Sequence, residues 1–366
     1  MSNTNNREPD LRVGADRGQL AVRLKADRRG LITGGTWCVD HNKVVEFWPA
    51  EEMIAEILSD ERGGGGAAYN VAIDIKKLDP SLPVETVGII GDDEDGRLLL
   101  AEADARTIDR AQLTVISGGR TQYTDAYTSR STGRRTHIHN PGVGALLVPE
   151  HFNFERTSAR IAHLGLPGVH GRMDSRSGAD ANGWVTILKK ARSAGLLTNL
   201  ELVSISAERI RTLVAPCLPY LDLLIVNDFE IGAVGAEPSI AGGETDVAGC
   251  MRAAQKTLAE GVMEMVVVHF PRGAIAVARN GEVTYQASLH VPRLQLVGAN
   301  GAGDAFAAGF LYGFHEHWGV SECLALGHAA AAASLRSVST TGTVEPWQIC
   351  LGLADAWGRR EASSLS

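Results

Sequence analysis

Val297-Gly298-Ala299-Asn300-Gly301-Ala302-Gly303-Asp304-Ala305-Phe306 runs directly into Ala307-Ala308-Gly309-Phe310-Leu311. The stretch reads as a glycine-rich turn entering a buried helix, because Ala305, Phe306, Ala308 and Leu311 give the second half a broad apolar surface. A helix start leaves backbone N–H groups free, and with the positive end of the helix dipole these attract phosphate oxygens. Asp304 stands at that point. A carboxylate is a poor choice for holding anions alone, but it suits accepting a proton while a phosphoryl group is transferred. The competing reading is an aspartate that merely favours a helix N-terminus, and on this stretch alone both stay open. No Lys-Ser or Lys-Thr follows the last glycine, so this is not a Walker loop. The glycine order and the position late in the chain also exclude the dinucleotide fingerprint.

Outward from this stretch, composition sets limits. The 366 residues are 44% hydrophobic, enough for one large α/β domain or a domain with an insert. A net charge of −8 provides no general basic surface for nucleic acid. No apolar run is long enough to span a membrane. Residues 1–28 are polar, lack an apolar signal core and are expected to form a poorly ordered tail before a domain over 29–360. Cys38, Cys217, Cys250, Cys323 and Cys350 are odd in number, dispersed and without C-x-x-C spacing. That pattern predicts buried thiols in a reducing, cytoplasmic setting rather than a disulfide frame or zinc site.

Strands alternate with helices along most of the chain. Leu31-Ile32-Thr33 is a first strand that leads through Gly34-Gly35 to Asp40, and Gly63 to Gly66 open a helix carrying Asn70, Val71, Ile73 and Ile75. Thr86 to Ile90 is a buried strand, and Arg97 begins the next helix. Further strands are expected over 160–164, 196–202, 221–227 and 265–269, with a helix around Ile187 to Lys190. Alternating β and α units imply a mainly parallel sheet covered by helices, and Leu223-Leu224-Ile225-Val226 has the continuous apolarity of a central parallel strand. A hairpin is expected around Asn280-Gly281. Two segments differ in texture: 41–50, and 117–140 with its turn at Ser131-Thr132-Gly133. Together they predict a small sheet standing off the core.

At this point the residues resemble a known family. The Asn300 to Asp304 turn is similar to the signature of the ribokinase-type (PfkB) carbohydrate kinases, usually Asp-Thr-x-Gly-Ala-Gly-Asp before a helix of small residues. Gly65-Gly66-Ala67-Ala68-Tyr69-Asn70 resembles the family's second signature, Val87 to Gly96 its next block, and Asn227-Asp228-Phe229-Glu230 its Asn-x-x-Glu motif. The four occur in the expected order between about Leu31 and Gly342. The resemblance implies a ribokinase-like three-layer sandwich with a β-sheet lid, ATP-dependent phosphorylation of a sugar hydroxyl, and Mg²⁺. It implies Asp304 as general base, with the backbone of Gly301, Ala302 and Gly303 as anion hole. Asp40, Gly65, Gly66 and Asn70 would bind the sugar. Asn227, Glu230, Asn300 and Gly273 would serve ATP and its Mg²⁺–phosphate group, with Glu230 reaching the metal through water. A homodimer through the lid is also implied. A nucleoside kinase, or a non-catalytic sugar- or nucleotide-binding protein, are the alternatives. Bland readings accompany several positions: a turn for Asp40, an N-cap for Asn227, a helix start for Glu230.

The chain departs from the family's pattern in three places. Gly298-Ala299 replace the Asp-Thr step that helps some relatives hold a monovalent cation, so potassium activation is not expected. Val268-His269-Phe270-Pro271-Arg272-Gly273 stands where relatives often carry Thr-x-Gly-x-x-Gly beside the nucleotide. His328 occupies the helix that often bears a polar residue near the adenine. The lid segment carries Arg120, Arg130, Arg134, Arg135, His137 and His139, either as a solvated turn or as a grip for an acidic or phosphorylated sugar. His163 and His170 flank Leu166-Pro167-Gly168 at an expected site edge, where substrate contact and plain packing both remain open.

Overall fold

A computed structural model describes residues 28–133 and 135–361. The expected tail lies outside the described residues except for Arg28, whose guanidinium donates to the carbonyls of Thr157, Ala159 and Ala194; Arg134 also lies outside them. In chain order the elements are β1 (Leu31–Gly35), β2 (Cys38–Val45), β3 (Ile57–Gly65), α1 (Ala67–Leu78), β4 (Val84–Gly91), α2 (Glu94–Ala105), β5 (Asp109–Ile116), β6 (Tyr123–Ser129) and β7 (Arg135–Asn140). They continue with β8 (Ile161–Gly165), α3 (Gly183–Ser193), β9 (Leu197–Leu200), α4 (Ala207–Val214), β10 (Leu223–Asn227), α5 (Asp228–Gly235), β11 (Ile240–Ala241), β12 (Glu244–Thr245) and α6 (Val247–Glu260). The last are β13 (Met265–Phe270), β14 (Gly273–Ala278), β15 (Val283–Ala287), α7 (Ala302–His315), α8 (Val320–Ser334) and α9 (Trp347–Trp357).

Among the described residues, nine strands form the main sheet in the order β15-β14-β13-β10-β9-β8-β1-β4-β5. Pairing is parallel from β13 to β5 and antiparallel across β13, β14 and β15. The central strands are apolar throughout because both faces are covered. In β10, Leu223 and Ile225 enter the core beneath α1, α7 and α8, while Leu224 and Val226 enter the core against α3, α5 and α6. The period of two in side-chain direction thus feeds two separate helix layers, and the three-layer α/β sandwich is as expected.

A second sheet, β3-β2-β6-β7, stands beside the first. Its strands β2 and β3 are antiparallel, β2 and β6 parallel, β6 and β7 antiparallel. Here the sequence expectations need correction. Gly63 to Gly65 belong to β3 rather than to a helix, and the helix begins at Ala67 with Gly66 as N-cap. Charged, glycine-rich Ile57–Gly65 has little strand propensity of its own and is held by pairing with β2. Asp40 lies within β2, beyond a break at Thr36-Trp37, not at the end of the first strand. β2 begins at Cys38, three residues before the expected segment, and ends at Val45. Val115-Ile116 close β5 of the main sheet, and the second segment of the small sheet begins as a strand only at Tyr123. The helix expected from Arg97 begins at Glu94, where the Asp93 side chain accepts from Gly96 N.

Candidate active site

In an open parallel sheet, side chains of different strands converge beyond the strands' carboxyl ends. β1, β8, β9 and β10 end together there, and α7 begins over them. Gly301 caps α7 with φ 75°, a conformation open to glycine. A Cβ at Gly301 would stand 2.5 Å from the Thr340 carbonyl oxygen. Ala302, Gly303 and Asp304 form the first turn, so their N–H groups are the unpaired donors of that helix end.

Asp304 is held from the other glycine motif. Gly66, with φ 89°, links β3 to α1 as its N-cap, which brings Asn70 alongside: Asn70 Nδ2 donates to Asp304 Oδ2 at 2.7 Å. Asn70 Oδ1 is buried without a partner in the described structure. Desolvation pushes the Asp304 carboxyl up to about 6, opposed by the hydrogen bond from Asn70. Asp40 is the second carboxylate, only 7% exposed. Desolvation pushes it up as well, to about 6, with Asp304's charge adding and Cys38, Asn300 and Arg135 opposing. Asn300 Nδ2 lies 3.4 Å from Asp40 Oδ2 and 3.3 Å from Asn42 Oδ1. A Cβ at Gly65 would meet Asp40 Oδ2 at 2.3 Å, so that glycine is what admits the carboxylate. The structure therefore brings Asp40, Gly65, Gly66, Asn70, Asn300 and Gly301 to Asp304 around one point.

Asn227 and Glu230 form a reciprocal cap at the start of α5. Asn227 Oδ1 accepts from Glu230 N at 2.8 Å, and Glu230 Oε2 accepts from Asn227 N at 3.1 Å. Ser204 Oγ donates to Glu230 Oε1 at 3.1 Å. Both carboxylate oxygens are thus engaged by protein. Glu201, just past β9, was not singled out from sequence. It is buried, its Oε2 accepts no hydrogen bond among the described residues, and desolvation with the charges of Asp304 and Glu230 holds its carboxyl well above the usual range. Its signal was a lone carboxylate in the leucine-rich strand segment Leu196 to Leu202. Asp74, one turn beyond Asn70, is likewise fully buried with both oxygens unpartnered.

On the far side of Gly303 lies a cleft of about 580 Å³. Its walls include Asn227, Phe229, His269, Phe306, Gly303 and His328. The Phe306 ring stands 5.0 Å from His269 and 5.0 Å, edge-on, from His328. Burial lowers both imidazoles, to about 4 and about 3, so they are neutral at pH 7. Gly273 is not on this wall; it starts β14 against Tyr285 and Gln286. His163 and His170 are fully buried and structural. His170 Nδ1 donates to the Gly144 carbonyl at 2.8 Å, which leaves Nε2 to accept from the Thr36 hydroxyl at 2.7 Å. Asn199 Nδ2 donates to His163 Nδ1 at 2.9 Å, so the neutral ring carries its proton on Nε2, 3.5 Å from Glu201 Oε2.

The fold matches the solved structure of Arabidopsis thaliana ribokinase complexed with ribose and ATP, with a TM-score of 0.71 and 21% identity over 89% of this chain and 98% of that one. In sequence the chain is 24% identical to an ATP-dependent ribose-1-phosphate kinase of Halopiger xanaduensis, over 79% of this chain and 86% of that protein. It is 29% identical to an adenosine kinase of Schizosaccharomyces pombe, but over only 34% of this chain and 36% of that protein. Residues 32–347 match the family described as pfkB family carbohydrate kinase, and the chain belongs to that family.

Proposed function

We propose that the protein is an ATP-dependent kinase that transfers the γ-phosphate to a hydroxyl of a carbohydrate, with Asp304 as the general base. The observation that carries this reading is the position of Asp304: in the first turn of α7, bonded to Asn70, with the Asp40 niche on one side and the 580 Å³ cleft on the other. The sugar's hydroxyls bond Asp40 and Asn70, where Gly65 and Gly66 let the backbone come close. ATP lies along the cleft, its phosphates at Asn227 and Asn300, its base against the apolar walls. Asp304 takes the proton as the hydroxyl oxygen attacks in line. The backbone N–H groups of Gly301, Ala302 and Gly303 stabilise charge on the phosphoryl group in flight.

Mg²⁺ fits these residues. Glu201, Glu230 and Asp304 repel one another through buried charge, and Glu201 Oε2 accepts no hydrogen bond among the described residues, with His163 Nε2 at 3.5 Å. Glu230 and Asn227 would hold the ion through water, since Glu230's oxygens are already engaged. Bound there, the ion supplies neutralisation of phosphate charge. Gly298-Ala299 offer no side-chain ligand for a monovalent cation.

A nucleoside acceptor is the second reading, favoured by the partial match to adenosine kinases. A cytoplasmic location and a homodimer through the lid belong to the same proposal; the lid region exposes Ile54 and Ile138. The test is ADP release with a panel of sugars, sugar acids, sugar phosphates and nucleosides. Turnover with a sugar derivative supports the first reading, turnover with nucleosides alone the second. Ligand binding without phosphate transfer would identify a binding protein of the same fold.

A further inference from the structure

Three basic side chains of β7, Arg135, His137 and His139, have no part in the reaction as derived. Strand register decides where they stand. Asp40 is opposite Thr124 and Thr124 opposite His139; Asn42 is opposite Ala126 and Ala126 opposite His137; Val44 is opposite Thr128 and Thr128 opposite Arg135. Directly opposed residues share a sheet face. All three therefore share the face on which Asp40 and Asn42 meet Asn300. Charge effects agree with this placement. Arg135 and Asp40 each favour the other's charged form, and His139 acts on buried His170.

Arg135 differs from the other cations of this sheet. Lys43 pairs with Asp125, Arg62 with Glu94 and Asp95, and Arg130 with Glu46. Among the described residues no carboxylate lies within ion-pair distance of Arg135. Its Nε donates to Thr128 Oγ1 at 3.3 Å, which leaves the outer guanidinium fork for another acceptor, and its charge is felt at Asp40. It is half-buried, and burial lowers its pKa while the charge of Asp40 raises it. Glu61 shares the face but is exposed on the opposite edge strand, three strands from His137.

We infer that the acceptor is an anionic sugar, one already bearing a carboxylate or a phosphate monoester. Its reacting hydroxyl lies at Asp304 and its anionic group is gripped by Arg135, with His137 and His139 beside it. This rests on the kinase reading above. A guanidinium fork matches either anion through two parallel hydrogen bonds, whereas a neutral sugar or nucleoside leaves the cation desolvated and unpaired.

The test uses the full chain and matched acceptors: a neutral aldose, its aldonate, its phosphate monoester, and adenosine. ADP release and calorimetric binding are measured for wild type, Arg135→Gln and Arg135→Lys. An anionic sugar is expected to have the highest kcat/KM, by about 100-fold over its neutral counterpart, as paired charge-assisted bonds permit. Arg135→Gln should remove most of that preference through KM, and Arg135→Lys should restore part of it. The aldonate and phosphate arms identify which anion is recognised. A neutral sugar or adenosine as best acceptor overturns the inference, as does an unchanged KM in Arg135→Gln. Anionic-sugar binding that is lost in Arg135→Gln, without ADP release from any acceptor, keeps the anion site and removes the kinase reading.

Discussion

Asn70 gives one hydrogen bond to Asp304 and hides its own carbonyl oxygen from every described partner. That arrangement orients the carboxylate while burial works against its charge. With Asp304 raised to about 6, catalysis needs its ionised form, so kcat/KM should be level above pH 7 and fall as pH drops below about 6. A pH–rate profile flat down to pH 4.5 would contradict this. Asp40 has the same sign of shift and a stability consequence. Its folded pKa of about 6 lies above the ordinary value, so the folded state binds the extra proton and stability falls as pH rises from about 4 through 6. Asp40→Asn should therefore raise the melting temperature at pH 8, by a gain of roughly 1–3 kcal/mol, with the gain shrinking toward pH 5. The same variant should lose sugar binding. Asp304 and Asn70 were legible in the sequence because each sits in a short motif, and Asp40 only through the family resemblance. Glu201 and Asp74 were not, since a lone carboxylate in an apolar run shows no partner until the strands and helices are packed.

At the scale of elements, the start of α7 governs the proposed anion hole. Gly301 adopts a positive φ and has the Thr340 backbone where a side chain would stand. Gly301→Ala should cost about 1–3 kcal/mol of stability from strain at that position and lower kcat more than it alters ATP affinity, measured by denaturation and by steady-state kinetics. The preceding turn is tied by main chain, with Val297 N and Gly298 N donating to the Leu335 carbonyl at 2.9 and 3.2 Å. With no side-chain oxygen at Gly298 or Ala299, turnover should persist in buffers free of potassium; strong potassium dependence would contradict that. The core strands and their helices could be read from sequence because both-face burial makes them uniformly apolar. β3 could not, because Ser-Asp-Glu-Arg-Gly-Gly-Gly has no strand pattern and owes its shape to its partner β2.

For the whole molecule, two sheets meet at one polar niche. The main sheet supplies the strand ends beneath α7, and the small sheet supplies Asp40, Asn42 and the basic row of β7. The layered fold was legible because β and α units alternate, and the stand-off sheet because its polar alternation breaks that rhythm. Its fourth strand and its connection to Gly66 emerge only from the pairing. The apolar residues the lid region leaves in solvent, Ile54 at 90% and Ile138 at 55% exposed, bear on assembly. If the lid pairs two copies, sedimentation should show a dimer that Ile138→Asp shifts to monomer. A monomer at high concentration would contradict the lid contact.

The central claim is that Asp304 takes the acceptor's proton. The most direct measurement is turnover by Asp304→Asn beside its ATP affinity, using the best acceptor from the panel. The account predicts that kcat falls by about 10³-fold, within the range for loss of a general base, while ATP binds nearly as in wild type. Near-normal turnover in Asp304→Asn would contradict it.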